Sequence, residues 1–87
     1  MKIKDGFLLR KVGGQNVVVA LGEASRDFNG MIRLNDTGVF LWQQLQQDVT
    51  EEQLLAALTA EYSVDPAQAK ADIAEFLSTL KKAALLV

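Results

Sequence analysis

Apolar residues recur at spacings near two along the first third of the chain and at spacings of three and four along the rest. The first spacing is that of a strand with alternate side chains on opposite faces. The second is that of a helix with one buried stripe. Phe7-Leu8-Leu9-Arg10-Lys11-Val12 and Asn16-Val17-Val18-Val19-Ala20-Leu21 are two β-rich runs separated by Gly13-Gly14-Gln15. The glycine pair tolerates the positive φ of a tight turn, so the runs predict a hairpin. Three consecutive valines call for cover on both faces, which makes the second run the central strand. A polar loop from Gly22 to Gly30, ending in the turn signal Asn29-Gly30, leads to a short third strand, Met31 to Leu34. With Leu34 packed inward, alternation puts Ile32 inward too and leaves Met31 and Arg33 on the other face. Unless the loop covers it, one edge of this strand has no partner, and an arginine in so short a strand is either a guard against indiscriminate pairing or a contact for an acidic partner.

The period changes at Leu34-Asn35-Asp36-Thr37. The first helix is expected over Asp36 to Gln47, with Asn35 as N-cap and Leu34 and Val39 placed as a hydrophobic staple. Its buried face is Gly38, Leu41, Trp42 and Leu45, which makes Trp42 a core anchor. Thr50 and Gln53 form a capping box for a second helix, with Val49 and Leu54 as its staple and Leu54, Leu55, Leu58 and Tyr62 as its stripe. Asp65 caps a third helix, Pro66 takes its first position, and Ala69, Ile73, Phe76, Leu77 and Leu80 form the stripe before the pattern fades near Lys81-Lys82. The whole is an α+β fold over residues 1–87, a single domain in which a three-stranded antiparallel sheet is followed by three helices.

Composition narrows the chemistry. The chain of 87 residues has neither cysteine nor histidine, which removes disulfides, thiolates and the commonest general base and metal ligand. Neither a Gly-rich phosphate loop nor a metal-ligand cluster nor a nucleophile-plus-base pair is present, so no catalytic residue, metal or cofactor is assigned. The adjacent acids Glu51-Glu52 fall in the first turn of a capped helix, where they complement its dipole. The N-terminus lacks the apolar core of a signal peptide and no apolar run reaches membrane-spanning length, so a soluble, cytoplasmic protein without membrane contact is expected.

A hairpin followed by three helices also describes a winged helix-turn-helix, and a DNA-binding regulator is the first alternative. Charge opposes it. Residues 1–33 carry six bases and three acids, whereas residues 34–69 carry six acids and no base. The first two helices are therefore an acidic block where a DNA reader needs phosphate contacts, and no nucleic acid is expected as partner. A peptide-binding module remains: an open strand edge beside a helix can take an extended peptide as an extra strand, with the third strand and third helix as candidates. Pairing of the same edge with its own copy would give a homodimer or oligomeric scaffold, the second alternative.

The stretch Asn29-Gly30-Met31-Ile32-Arg33-Leu34-Asn35-Asp36-Thr37-Gly38-Val39-Phe40-Leu41-Trp42 resembles the PqqD family, as do Thr50-Glu51-Glu52, Glu61-Tyr62-Ser63-Val64-Asp65 and Asp72-Ile73-Ala74-Glu75-Phe76-Leu77. Its most specific part is Leu34-Asn35-Asp36-Thr37-Gly38 with Trp42 four residues on. The resemblance implies a small winged-helix-like domain that acts as a peptide chaperone rather than an enzyme. Such domains are recognition elements for the leader segments of ribosomally made precursor peptides, which a modifying enzyme then processes. In pyrroloquinoline quinone biosynthesis that enzyme is of the radical S-adenosylmethionine type. By position, the resemblance places Met31, Ile32, Arg33 and Leu34 on the peptide-binding edge and Ala69, Asp72, Ile73 and Phe76 on the groove wall of the third helix. Where relatives often carry a glycine before the final leucines, this chain has Ala83-Ala84-Leu85-Leu86, which leaves a continuation of the third helix into those residues open.

Overall fold

A computed structural model describes residues 1–26 and 30–87. Strands β1 (Phe7–Val12), β2 (Gln15–Ala20) and β3 (Ile32–Leu34) form an antiparallel sheet in the order β1-β2-β3, and helices α1 (Asp36–Gln44), α2 (Glu51–Glu61) and α3 (Pro66–Lys82) follow. This is the expected α+β architecture. The hairpin turn is two residues, not three. Gly13 and Gly14 both have positive φ (57° and 79°), so Gln15 already pairs with Val12. Part of the expected loop after β2 is a 3-10 helix, Gly22–Arg26, while Asn29 of the Asn29-Gly30 turn signal lies outside the described residues.

β2 is the central strand, and two of its three valines are buried on opposite faces. Val18 belongs to the core with Leu41, Trp42, Leu45, Leu54, Leu58, Ile73, Leu77 and Leu80, and Phe7, Leu9, Ile32 and Leu34 pack partly against it. Val17 points the other way, yet is only 2 % exposed. Its neighbours in register are Arg10 on β1 and Arg33 on β3, long side chains whose aliphatic stems can roof a valine while their charges stay in water.

The caps are those the sequence encodes. The Gly38 N–H donates to Asn35 Oδ1 (2.8 Å), Thr50 and Gln53 exchange both bonds of the capping box, and the Gln68 N–H donates to Asp65 Oδ2 (3.4 Å) ahead of a helix whose first residue is Pro66. Helix α1 is shorter than expected, because its end is decided by a distant partner. The Leu45 carbonyl, which would continue the helix, accepts the Ile3 N–H (2.9 Å), and Gln46 and Gln47 tighten into i→i+3 turns. Met1–Lys4 runs as an extended strap between this point and the C-terminus. The Val49 N–H donates to the Met1 carbonyl, the Lys4 N–H to the Leu85 carbonyl, and Ile3 bridges Leu86 antiparallel. The Met1 ammonium lies 2.6 Å from Asp48 and holds that carboxyl below its usual range.

The last residues do not continue α3. Ala84 takes the left-handed conformation (φ 59°), the Leu85 N–H donates to the Leu80 carbonyl (2.9 Å) and the Ala84 N–H to Lys81 (3.0 Å). This is the Schellman pattern that normally uses glycine at the left-handed position. Alanine accepts it here because stopping the helix buries Leu85 completely and lets Leu86 meet Ile3. Ala84→Gly is therefore expected to raise stability by about 1 kcal/mol, read as a Tm increase of about 4–8 °C in a thermal melt. No gain in Tm would contradict a strained cap.

Candidate functional site

The direction of each backbone group on β3 follows from the hairpin. In a two-residue hairpin the pair flanking the turn exchanges both hydrogen bonds, and the pairs two, four and six residues further on do the same. Val12–Gln15, Arg10–Val17 and Leu8–Val19 are thus bonded pairs, and the Leu21 N–H donating to the Gly6 carbonyl (2.7 Å) continues the series. Val17 therefore turns its N–H and carbonyl to β1, and Asn16 and Val18 turn theirs to β3. Across that junction Asn16 bonds Leu34 and Val18 bonds Ile32. Arg33 lies between them, so its N–H and carbonyl point outward from the sheet edge. No backbone partner meets them among the described residues.

Beside this edge the start of α1 and one flank of α3 enclose a cleft of about 220 Å³, lined by Asn35, Thr37, Gly38, Leu41, Asp72, Glu75, Phe76 and Thr79. The α3 contribution is a single stripe at helical spacing, and the opposite wall is the capped first turn of α1. Gly38 is there because of the cap. A Cβ on it would stand 3.2 Å from Asn35 Oδ1 and 3.3 Å from Leu34 Cβ. Asp72 is oriented by the Gln68 side chain, whose Nε2 donates to it at 2.8 Å, and Phe76 is half-buried, with part of its ring against the core and part in the cleft.

The eight residues singled out in the sequence fall into three groups. Asp72 and Phe76 line the cleft. Ile32, Arg33 and Leu34 form β3, Ile32 and Leu34 half-buried on the core face and Arg33 exposed on the other, while Met31 precedes the strand and is 58 % exposed. Ala69 and Ile73 are core residues, 0 % and 2 % exposed, with no side-chain surface for a ligand. The cleft also takes in Asn35, Thr37, Gly38, Leu41, Glu75 and Thr79, which the sequence did not single out as site residues. Glu75 and Thr79 share a helical stripe with Asp72 and Phe76, a signal that needed only the choice of flank.

These features define a small winged-helix-like α+β protein with an open edge strand beside a helix-walled cleft. The family described as Coenzyme PQQ synthesis protein D (PqqD) matches residues 15–86, and the chain belongs to it. Among solved structures the chain is similar to TbiB1 in complex with the TbiA(beta) leader peptide, at 28 % identity over 99 % of this chain and 94 % of that one, with a TM-score of 0.75. It is also similar in fold to lasso peptide synthetase B1 complexed with the leader peptide, at 23 % identity over 93 % and 89 % of the two chains, with a TM-score of 0.69. No curated protein matches the chain.

The cap that joins β3 to α1 is open to a direct test. Asn35→Ala removes the acceptor for the Gly38 N–H and is expected to cost about 1 kcal/mol in urea unfolding. A loss below a few tenths would show that the joint does not depend on the cap.

Proposed function

We propose that this chain is a non-catalytic recognition element that takes the leader segment of a ribosomally made precursor peptide as a fourth strand on β3 and holds it for a modifying enzyme. The observation that carries the reading is the outward-facing N–H and carbonyl of Arg33 on a short edge strand, with the cleft under Phe76 alongside. Backbone bonds to such an edge supply affinity for any extended segment, and the cleft selects side chains on one of its two faces. Family membership supports this reading, as does the likeness to a protein of 28 % identity held in complex with a leader peptide.

The eight-residue site becomes narrower under this proposal. Met31, Ile32, Arg33 and Leu34 present the edge and Asp72 and Phe76 the wall, while Ala69 and Ile73 support that wall from the core. A radical S-adenosylmethionine enzyme is the partner that the family suggests for the next step. Self-pairing of β3 in a homodimer would compete with the peptide for the same edge. Among the described residues no helix is long and apolar enough to cross a membrane, and no group of acids forms a metal site.

The test separates backbone from side chain at one position. A proline at Arg33 leaves the β2–β3 ladder intact, because the N–H it deletes faces outward; proline is tolerated at such edge positions. With a synthetic peptide carrying the leader of a candidate precursor, Arg33→Ala is expected to weaken binding less than about fivefold, as for an exposed charge. Arg33→Pro should weaken it at least about thirtyfold, through a lost bond, an unsatisfied peptide carbonyl and the bulk of the ring. Both variants should melt close to the parent. Equal losses would show that the side chain matters and strand addition does not.

A further inference from the structure

A strand added to β3 places alternate side chains on two surfaces of opposite charge. One set faces the cleft, where Asp72 and Glu75 lie within one turn of α3 on the Phe76 flank. Neither carboxylate forms an ion pair among the described residues. The other set joins the outer face of the sheet, where Arg33, Val17 and Arg10 lie in one row across three strands and neither guanidinium has an anionic partner among the described residues. A lysine or arginine entering the cleft can lay its stem on the half-buried Phe76 ring and bring its charge to the two carboxylates. An acidic side chain directly opposite Arg33 forms a cross-strand pair of opposite charge, and a basic one there meets a like charge.

Resting on the strand-addition reading, we infer that the segment recognised at β3 is a strand of alternating charge. The residue paired with Arg33 is acidic, and an immediate neighbour, facing the cleft, is lysine or arginine. Successive side chains point to opposite faces, so the two charges must be adjacent in sequence. The geometry thereby sets a readable pattern as well as a composition. It also sets negative selection: shifting the segment by one residue puts base against Arg33 and acid against Asp72 and Glu75. The charge pattern fixes the register of a ligand whose backbone bonds alone would allow it to slip.

The probe is a phage-displayed library of random peptides of about twelve residues, panned on the whole chain and then on two variants, Arg33→Pro and Asp72→Asn/Glu75→Gln. The variants are first shown to be folded by circular dichroism. The expected winners share an acid next to a lysine or arginine, fail to bind Arg33→Pro, and bind the double variant about tenfold more weakly than the parent, an effect that shrinks with added salt. Winners that need an intact Arg33 backbone but lack the charge pair, and bind the double variant as well as the parent, would overturn the charge pattern and leave strand addition standing. Winners indifferent to Arg33→Pro, or none at all, would overturn both.

Discussion

The site depends on the hydrogen bond from the Gly38 N–H to Asn35 Oδ1, made one residue after β3 ends. A three-residue strand held to one neighbour by two bonded pairs has little stability of its own. Here the residue after its last member is already the cap of α1, and the Asn35 carbonyl accepts the Val39 N–H at 2.9 Å, so the strand runs directly into the capped helix. Gly38 keeps the space for the cap, and the buried face of α1, Leu41 and Trp42, anchors the helix in the core. Under the proposed function, an edge that receives another strand has to be both open and still. The cap and the core supply the stillness, and the shortness of β3 limits how much open edge is presented.

The same economy governs the faces of the sheet. On the core side, Ile32 and Leu34 hold β3 down, which leaves outward-facing backbone as the available bonding surface. On the far side, Val17 is buried and lies in register between Arg10 and Arg33, whose stems can cover it while their charges stay in water. Arg33 therefore acts at three levels. Its backbone faces the open edge, its stem can cover Val17, and its charge is available to a neighbouring strand. Backbone recognition is tolerant of sequence, and discrimination falls to the side chains on either face.

Much of this was legible in the sequence because it is locally encoded. Asn35, Thr50 and Asp65 announce helix starts by their own side chains, Gly13-Gly14 announces the turn, and the apolar stripes give the buried faces of all three helices. The edge position of β3 followed from strand order and from the valines of β2. What escaped was set by distant contacts. The end of α1 is fixed by Ile3 taking the Leu45 carbonyl, and the end of α3 by the burial of Leu85, which holds Ala84 in a conformation its side chain disfavours. On α3, an apolar stripe of five residues is wider than the buried face, so sequence could not separate Ala69 and Ile73 in the core from Phe76 at its margin. Resemblance alone assigns Asp72 to the groove wall, and Glu75 joins it only once α1 is seen opposite them.

Amide hydrogen exchange of Arg33 tests the central claim most directly, because strand addition must use that N–H whatever the side chains of the ligand. In the free protein this amide points to solvent and should exchange rapidly, while those of Ile32 and Leu34, bonded to β2, serve as internal references. With a leader peptide bound, the Arg33 amide is expected to become protected by at least about tenfold, with the two references little changed. A peptide that binds and leaves Arg33 exchange untouched, with protection appearing elsewhere, would contradict recognition by an added strand.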